Sequence, residues 1–203
     1  MRPLLCWLSL LALAAPATPL SMAFTLSSPV MKEGAALPVE FSGNGEGVSP
    51  PLEWQGAPAG TKSYVLIMHH FPRAGEAARY YWILYNLPAT VTSLSRASQG
   101  IGLTGGNSVG QPPVGYAPPH SKGPGVKKYT ITVYALAAIP QPAATGRQLN
   151  RDLMLATIKD STLASAELNF TFDSGGAAVK GSDQASEKGG KKAKRPPAEA
   201  PAK

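Results

Sequence analysis

The stretch SYVLIMHHF (63–71), a short charged interval, and then YYWILYNL (80–87) restrict this chain more than any other feature. Both runs are apolar, β-branched and aromatic over strand length, and Gly/Pro-rich segments bound them, so they predict two apolar strands joined as a hairpin. Similar runs recur at FTLSS (24–28), LPVEFSG (37–43), KYTITVYAL (128–136) and AELNFTF (166–172), with glycine and proline between them. The pattern predicts a mainly β domain. In YTITVYAL, strand alternation puts Tyr129, Ile131, Val133 and Ala135 on a buried face and Thr130, Thr132, Tyr134 and Leu136 on a partly covered one. One helix is expected, NRDLMLATIKDS (150–161), with Asn150 as its cap and Leu153, Met154 and Ile158 as its apolar stripe.

The two ends do not belong to that domain. Residues 1–23 carry Arg2, an apolar run from Leu4 to Ala15 and small residues before two candidate cleavage points, after Ala17 or Ala23. This is the build of a secretory signal peptide, and its apolar core is short of the roughly 20 residues that a membrane span needs. The sole cysteine, Cys6, lies inside that run, so thiol catalysis, thiolate metal sites and disulfides are excluded from a mature chain, which is expected to be secreted or periplasmic. Residues 174–203 have no aromatic and one branched aliphatic residue, Val179, which predicts a disordered Lys/Pro/Ala-rich tail. That tail holds seven Lys/Arg against three Asp/Glu, whereas residues 24–173 hold eleven against nine, so much of the net charge of +7 sits outside the folded part. Such a tail suits contact with anionic surfaces. With no aromatics to stack bases, and on an exported chain, it does not predict a nucleic-acid partner.

Chemical signals concentrate in the hairpin and in the interval 93–127, which carries eight glycines and five prolines and is too long to be an idle connection. GNSVG (106–110) matches the G-x-S-x-G nucleophile elbow, with Ser108 as nucleophile and His120 as its base. The elbow needs a strand before it and a helix after it; here prolines follow, and no Asp or Glu occurs between Glu76 and Asp152 to complete a triad. His69, His70 and His120 are the only histidines. Successive strand residues point to opposite faces, so one of His69 and His70 joins His120 at most, and the scarcity of carboxylates argues against a metal site. YAPPHSKGPGVKKY (116–129) gathers His120, Lys122, Lys127 and Lys128 on a loop stiffened by Pro118 and Pro119, with Gly123 and Gly125 leaving backbone N–H groups accessible to an anion. Tyr81 would complete the pocket, joined by Trp82 only where the strand is irregular.

These segments resemble the phosphatidylethanolamine-binding proteins, also known as Raf kinase inhibitor proteins, in their bacterial branch. The likeness spans roughly 24–173 and rests on SPPLEW (49–54), APAGTKSYVLIM (57–68), YYWILYNLP (80–88), GGNSVG (105–110), GYAPP (115–119) and KKYTITVYAL (127–136) in that order. The resemblance implies a β-sandwich with one or two short helices and a small pocket for phosphate-like anions or phospholipid head groups. Within that pocket this chain has His70-Phe71-Pro72-Arg73-Ala74 where the family has Asp-Pro-Asp-Ala-Pro, Tyr81 before Trp82 where it has His-Trp, and Lys127 before Lys128 and Tyr129 in place of its His-Arg-Tyr histidine.

Acidic groups are thus exchanged for basic ones, which favours anions. The expected function is an exported, non-catalytic binding protein that needs no cofactor and modulates a protein partner. Its expected small-anion site comprises His70, Tyr81, Trp82, Pro118, Pro119, His120, Lys127 and Tyr129. The alternatives are a serine hydrolase using Ser108 and His120, and an interaction module whose pocket is vestigial.

Overall fold

The structure, a computed structural model, describes residues 22–120 and 125–173; residues 1–21 of the expected signal peptide, the tail, and Lys122 and Gly123 lie outside these. Eight strands and one α-helix follow in chain order: β1 Thr25–Ser27, β2 Leu52–Gln55, β3 Ser63–His70, β4 Arg79–Pro88, β5 Ser93–Leu94, β6 Leu103–Thr104, β7 Lys127–Leu136, α1 Arg151–Ile158 and β8 Thr162–Phe172. The large sheet runs β6-β4-β3-β7-β8 and the small one β1-β2-β5, antiparallel throughout. This is the predicted mainly β sandwich with one short helix.

Strand alternation divides the apolar residues between two cores. Leu66 and Met68 of β3 and Ile131 and Val133 of β7 face the small sheet, whose Leu26, Leu52, Trp54 and Leu94 close the sandwich. Val65 and Ile67 face the other way and are covered by Leu149, Met154 and Ile158. β3 is buried along its whole length because both faces are packed, which is why its sequence shows no polar alternation.

LPVEFSG (37–43), expected as a strand, instead contains a 3-10 turn, Val39–Phe41. Leu37 and Phe41 are buried while Val39 is 58% exposed. Pro38 offers no N–H to a ladder, and Ser42 turns its backbone N–H and its hydroxyl onto Val39 O at 3.0 and 2.8 Å, so local bonds satisfy this segment. SPPLEW conceals β2, whose pattern of alternating burial is only four residues long.

α1 begins where the sequence places it. Asn150 Oδ1 accepts from Leu153 N at 2.8 Å. Replacing Asn150 with Ala is expected to cost about 1 kcal/mol, read as a lower urea midpoint with an unchanged slope.

Candidate functional site

β3 and β4 lose register near their open end. Met68 pairs with Trp82 but His69 pairs with Tyr80, which leaves Tyr81 as the extra residue of a bulge. Tyr81 and Trp82 therefore both face the sandwich core, whereas Tyr80 packs on the helix side. The irregularity required for both to share a face is present.

On the sandwich face this bulge assembles an aromatic cluster around Tyr129. The His70 ring stacks on Tyr129 at 4.9 Å, Tyr81 meets it edge-on at 5.1 Å, and Phe170 stacks beneath at 5.3 Å. The Tyr129 hydroxyl is buried with no hydrogen-bond partner among the described residues. Burial, and then the Tyr81 hydroxyl close by but outside bonding geometry, push its pKa up. A neutral phenol that keeps its proton is a hydrogen-bond donor, and one left unpaired in a core costs roughly 1–3 kcal/mol. His70 Nδ1 lies 2.8 Å from Lys128 O; a carbonyl only accepts, so Nδ1 carries the hydrogen and Nε2 is the acceptor in the neutral ring. Lys127 shares the Tyr129 face by strand alternation and donates to Gly125 O at 3.4 Å.

The loop carrying the remaining expected residues stands against another part of the chain. Gly43 N bonds Pro119 O at 2.9 Å, and a Cβ at Gly43 would stand 2.6 Å from that of His120. Pro119 is buried, His120 is exposed, and His120 Nδ1 bonds Pro118 O at 3.0 Å. His70 and Tyr81 thus both contact Tyr129, while the described contacts of His120 are with residues 43, 118 and 119. Trp82 joins through Tyr116, met edge-on at 5.4 Å. It also lines a neighbouring cavity of about 350 Å³ with Ser49, Gln99, Ile101 and Thr104, where no charged side chain reaches the wall. Among the described residues no cluster of three His, Cys, Asp or Glu is placed to hold a metal ion.

GNSVG fastens its loop to the start of β4. Ser108 Oγ takes the Tyr80 N–H at 3.0 Å and donates to Tyr80 O at 3.1 Å, and Ser108 N bonds the same carbonyl at 2.9 Å. Among the described residues Ser108 and His120 do not bond each other. Buried Asn107, which the sequence reasoning passed over, accepts from Gly110 N at 2.6 Å and Val109 N at 3.3 Å. Its amide donates to Pro112 O and Gly115 O at 3.4 and 3.3 Å. The glycines allow the close approach: a Cβ at Gly106 would lie 2.7 Å from Arg147 O, and one at Gly110 would lie 2.9 Å from Asn107 Oδ1. The buried amide with only short-range backbone bonds is a local motif that the G-N-S spacing could have suggested.

His69 takes the opposite face from His70. Its ring meets Phe71 edge-on at 5.2 Å, and burial, followed by Arg151 and His70, holds its pKa down to about 4 from the usual 6.5.

Two outcomes follow. Asn107→Ala is expected to lower stability by about 1–3 kcal/mol by stranding backbone groups of the loop, measured by chemical denaturation. Because the unfolded chain protonates His69 more readily than the fold does, stability should fall as pH drops from 6.5 towards 4, with the His69 contribution fully present above 6.5. The His69→Gln variant should show a flatter profile across that window in denaturation midpoints.

The phosphatidylethanolamine-binding protein family model matches residues 27–173. A UPF0098 protein of Chlamydia trachomatis is 30% identical over 154 residues, 73% of this chain and 97% of its own length. "Putative lipoprotein LppC" of Mycobacterium tuberculosis is 34% identical over 134 residues, 64% of this chain and 65% of its own. Among solved structures, the Chlamydia trachomatis phosphatidylethanolamine-binding protein homologue CT736 superposes with a TM-score of 0.66 at 28% identity, covering 74% of this chain and 97% of that one. Escherichia coli YbcL gives a TM-score of 0.65 at 24% identity, over 74% and 98% of the two chains, and supports the fold. With its sandwich, its bulged hairpin and a match over most of its length, this chain belongs to the phosphatidylethanolamine-binding protein family.

Proposed function

We propose that the protein is an exported, non-catalytic binding protein whose Tyr129 cluster takes one small anion or phospho-head group. The observation that carries this reading is the buried Tyr129 hydroxyl, which finds no acceptor among the described residues although Tyr81 and His70 lie against its ring. A phosphate or carboxylate oxygen supplies that acceptor. Tyr81 offers a second donor, and the His70 ring stacks on Tyr129 beside it. Lys127 and His120 contribute from the rim, with Trp82, Pro118 and Pro119 as walls. The bonding of Ser108 to the Tyr80 backbone supports a non-catalytic role, because a hydroxyl that holds a bulge in place is not poised for attack. A fluorophosphonate probe is expected to leave Ser108 unlabelled.

Export rests on the character of residues 1–23, with the lipoprotein named among the relatives in agreement. Among the described residues no helix is long and apolar enough to cross a membrane. Modulation of a protein partner and tail contact with anionic surfaces belong to the same proposal.

The reading is tested by NMR titration with phosphate, acetate and phosphoethanolamine. Saturable shifts at His70 and Tyr129 at millimolar ligand are expected, and their absence with all three ligands would end the proposal. Tyr129→Phe separates binding from folding. Removing an unpaired buried hydroxyl should leave stability equal or higher, while phosphate affinity falls about tenfold through loss of a charge-assisted hydrogen bond.

A further inference from the structure

The helix-covered face of the large sheet holds a second polar group, one residue away from the Tyr129 cluster and separated from it by the sheet itself. His69 is 8% exposed, and its Nδ1 is sealed without a hydrogen-bond partner among the described residues. Arg151, the first residue of α1, sets Nη1 3.3 Å from Asp152 Oδ1, while its Nε is equally sealed and unpartnered. Phe71 links the two: its ring lies 5.2 Å from the His69 ring and 5.6 Å from the Arg151 guanidinium carbon. Tyr80 pairs with His69 across the hairpin, and Thr130 flanks it from β7 with its hydroxyl committed to Asn169.

Two stranded nitrogens from different elements, each on a group packed against the Phe71 ring, would share a remedy in a single acceptor placed between them. With Nη1 turned to Asp152, the guanidinium keeps its Nε–Nη2 edge, the fork that matches the two oxygens of a carboxylate. The first turn of α1 adds positive potential. Asp152 already balances part of the arginine charge, so a monoanion suits the site better than a phosphate dianion. We propose that His69 and Arg151 form a binding site for a small monocarboxylate on this face, with Phe71 as its cover. Phe71 is 53% exposed at the end of β3, so turning it aside forfeits little buried surface.

The experiment uses the full chain labelled with 15N-histidine and titrated with acetate at neutral pH. Saturable displacement of the His69 ring nitrogens is expected, with inorganic phosphate producing less. Phe71→Ala should tighten acetate binding, Asp152→Asn should tighten it by releasing Nη1, and Arg151→Gln should weaken it about tenfold. The isosteric surface change Asp152→Asn keeps the test decisive where Arg151→Gln disturbs α1. Unmoved His69 nitrogens in both the native protein and Phe71→Ala, or equal shifts in Arg151→Gln, would overturn the proposal. His70 nitrogens report the Tyr129 cluster in the same spectra, so shifts there alone would uphold that reading and reject this one.

Discussion

The extra residue in β4 governs the chemistry of both faces of the large sheet. Without it, Tyr81 and Trp82 would alternate across the sheet as neighbours do; with it, Tyr80 goes to the helix side and the next two aromatics go together into the sandwich. The bulge is held from outside β4. Ser108 grips the Tyr80 backbone at three points, and Ala117 N bonds Tyr81 O at 2.7 Å, so the glycine-rich loop replaces a neighbouring strand where β6 ends. Asn107 and the glycines beside it hold the loop in the shape that makes this grip available.

Such an arrangement leaves polar atoms in places where folding alone does not want them. The Tyr129 hydroxyl on one side, and His69 Nδ1 with Arg151 Nε on the other, are buried nitrogen and oxygen atoms whose neighbours offer no bond among the described residues. Elsewhere the same strands bond their polar groups: half-buried Thr130 holds Asn169 at 2.8 Å, and buried Ser63 holds Ala138 O at 2.8 Å. Pairing of buried polar groups is the general rule; of the five exceptions among the described residues, Tyr129, His69 and Arg151 gather at one end of β3, while Trp54 Nε1 and Asn86 Oδ1 lie elsewhere.

Much of this frame was legible in the residues. Continuous apolar runs identified β3 and β4, alternation separated the faces of β7, and Asn150 marked the start of α1, because each signal is local and periodic. LPVEFSG misled since alternating Leu37, Val39 and Phe41 mimic a strand while Ser42 closes a tighter local bond. β2, β5 and β6 were missed because strands of two to four residues carry too little pattern. The opposite facing of His69 and His70 followed from strand geometry alone. The contact of Tyr81 with Tyr129, in contrast, depends on a register shift between strands, which one chain's local sequence does not encode. Ser108 and Asn107 show the same limit from the other side: the backbone bonds that this glycine-rich loop makes are not legible in its G-x-S-x-G pattern.

The bond from His70 Nδ1 to the carbonyl of residue 128 has an evolutionary consequence. Every amino acid brings the same carbonyl to that position, so the orientation and tautomer of the imidazole are inherited from strand pairing and survive any drift in the side chain there. Relatives that keep a histidine at this place can vary the rim freely and still present the same ring edge.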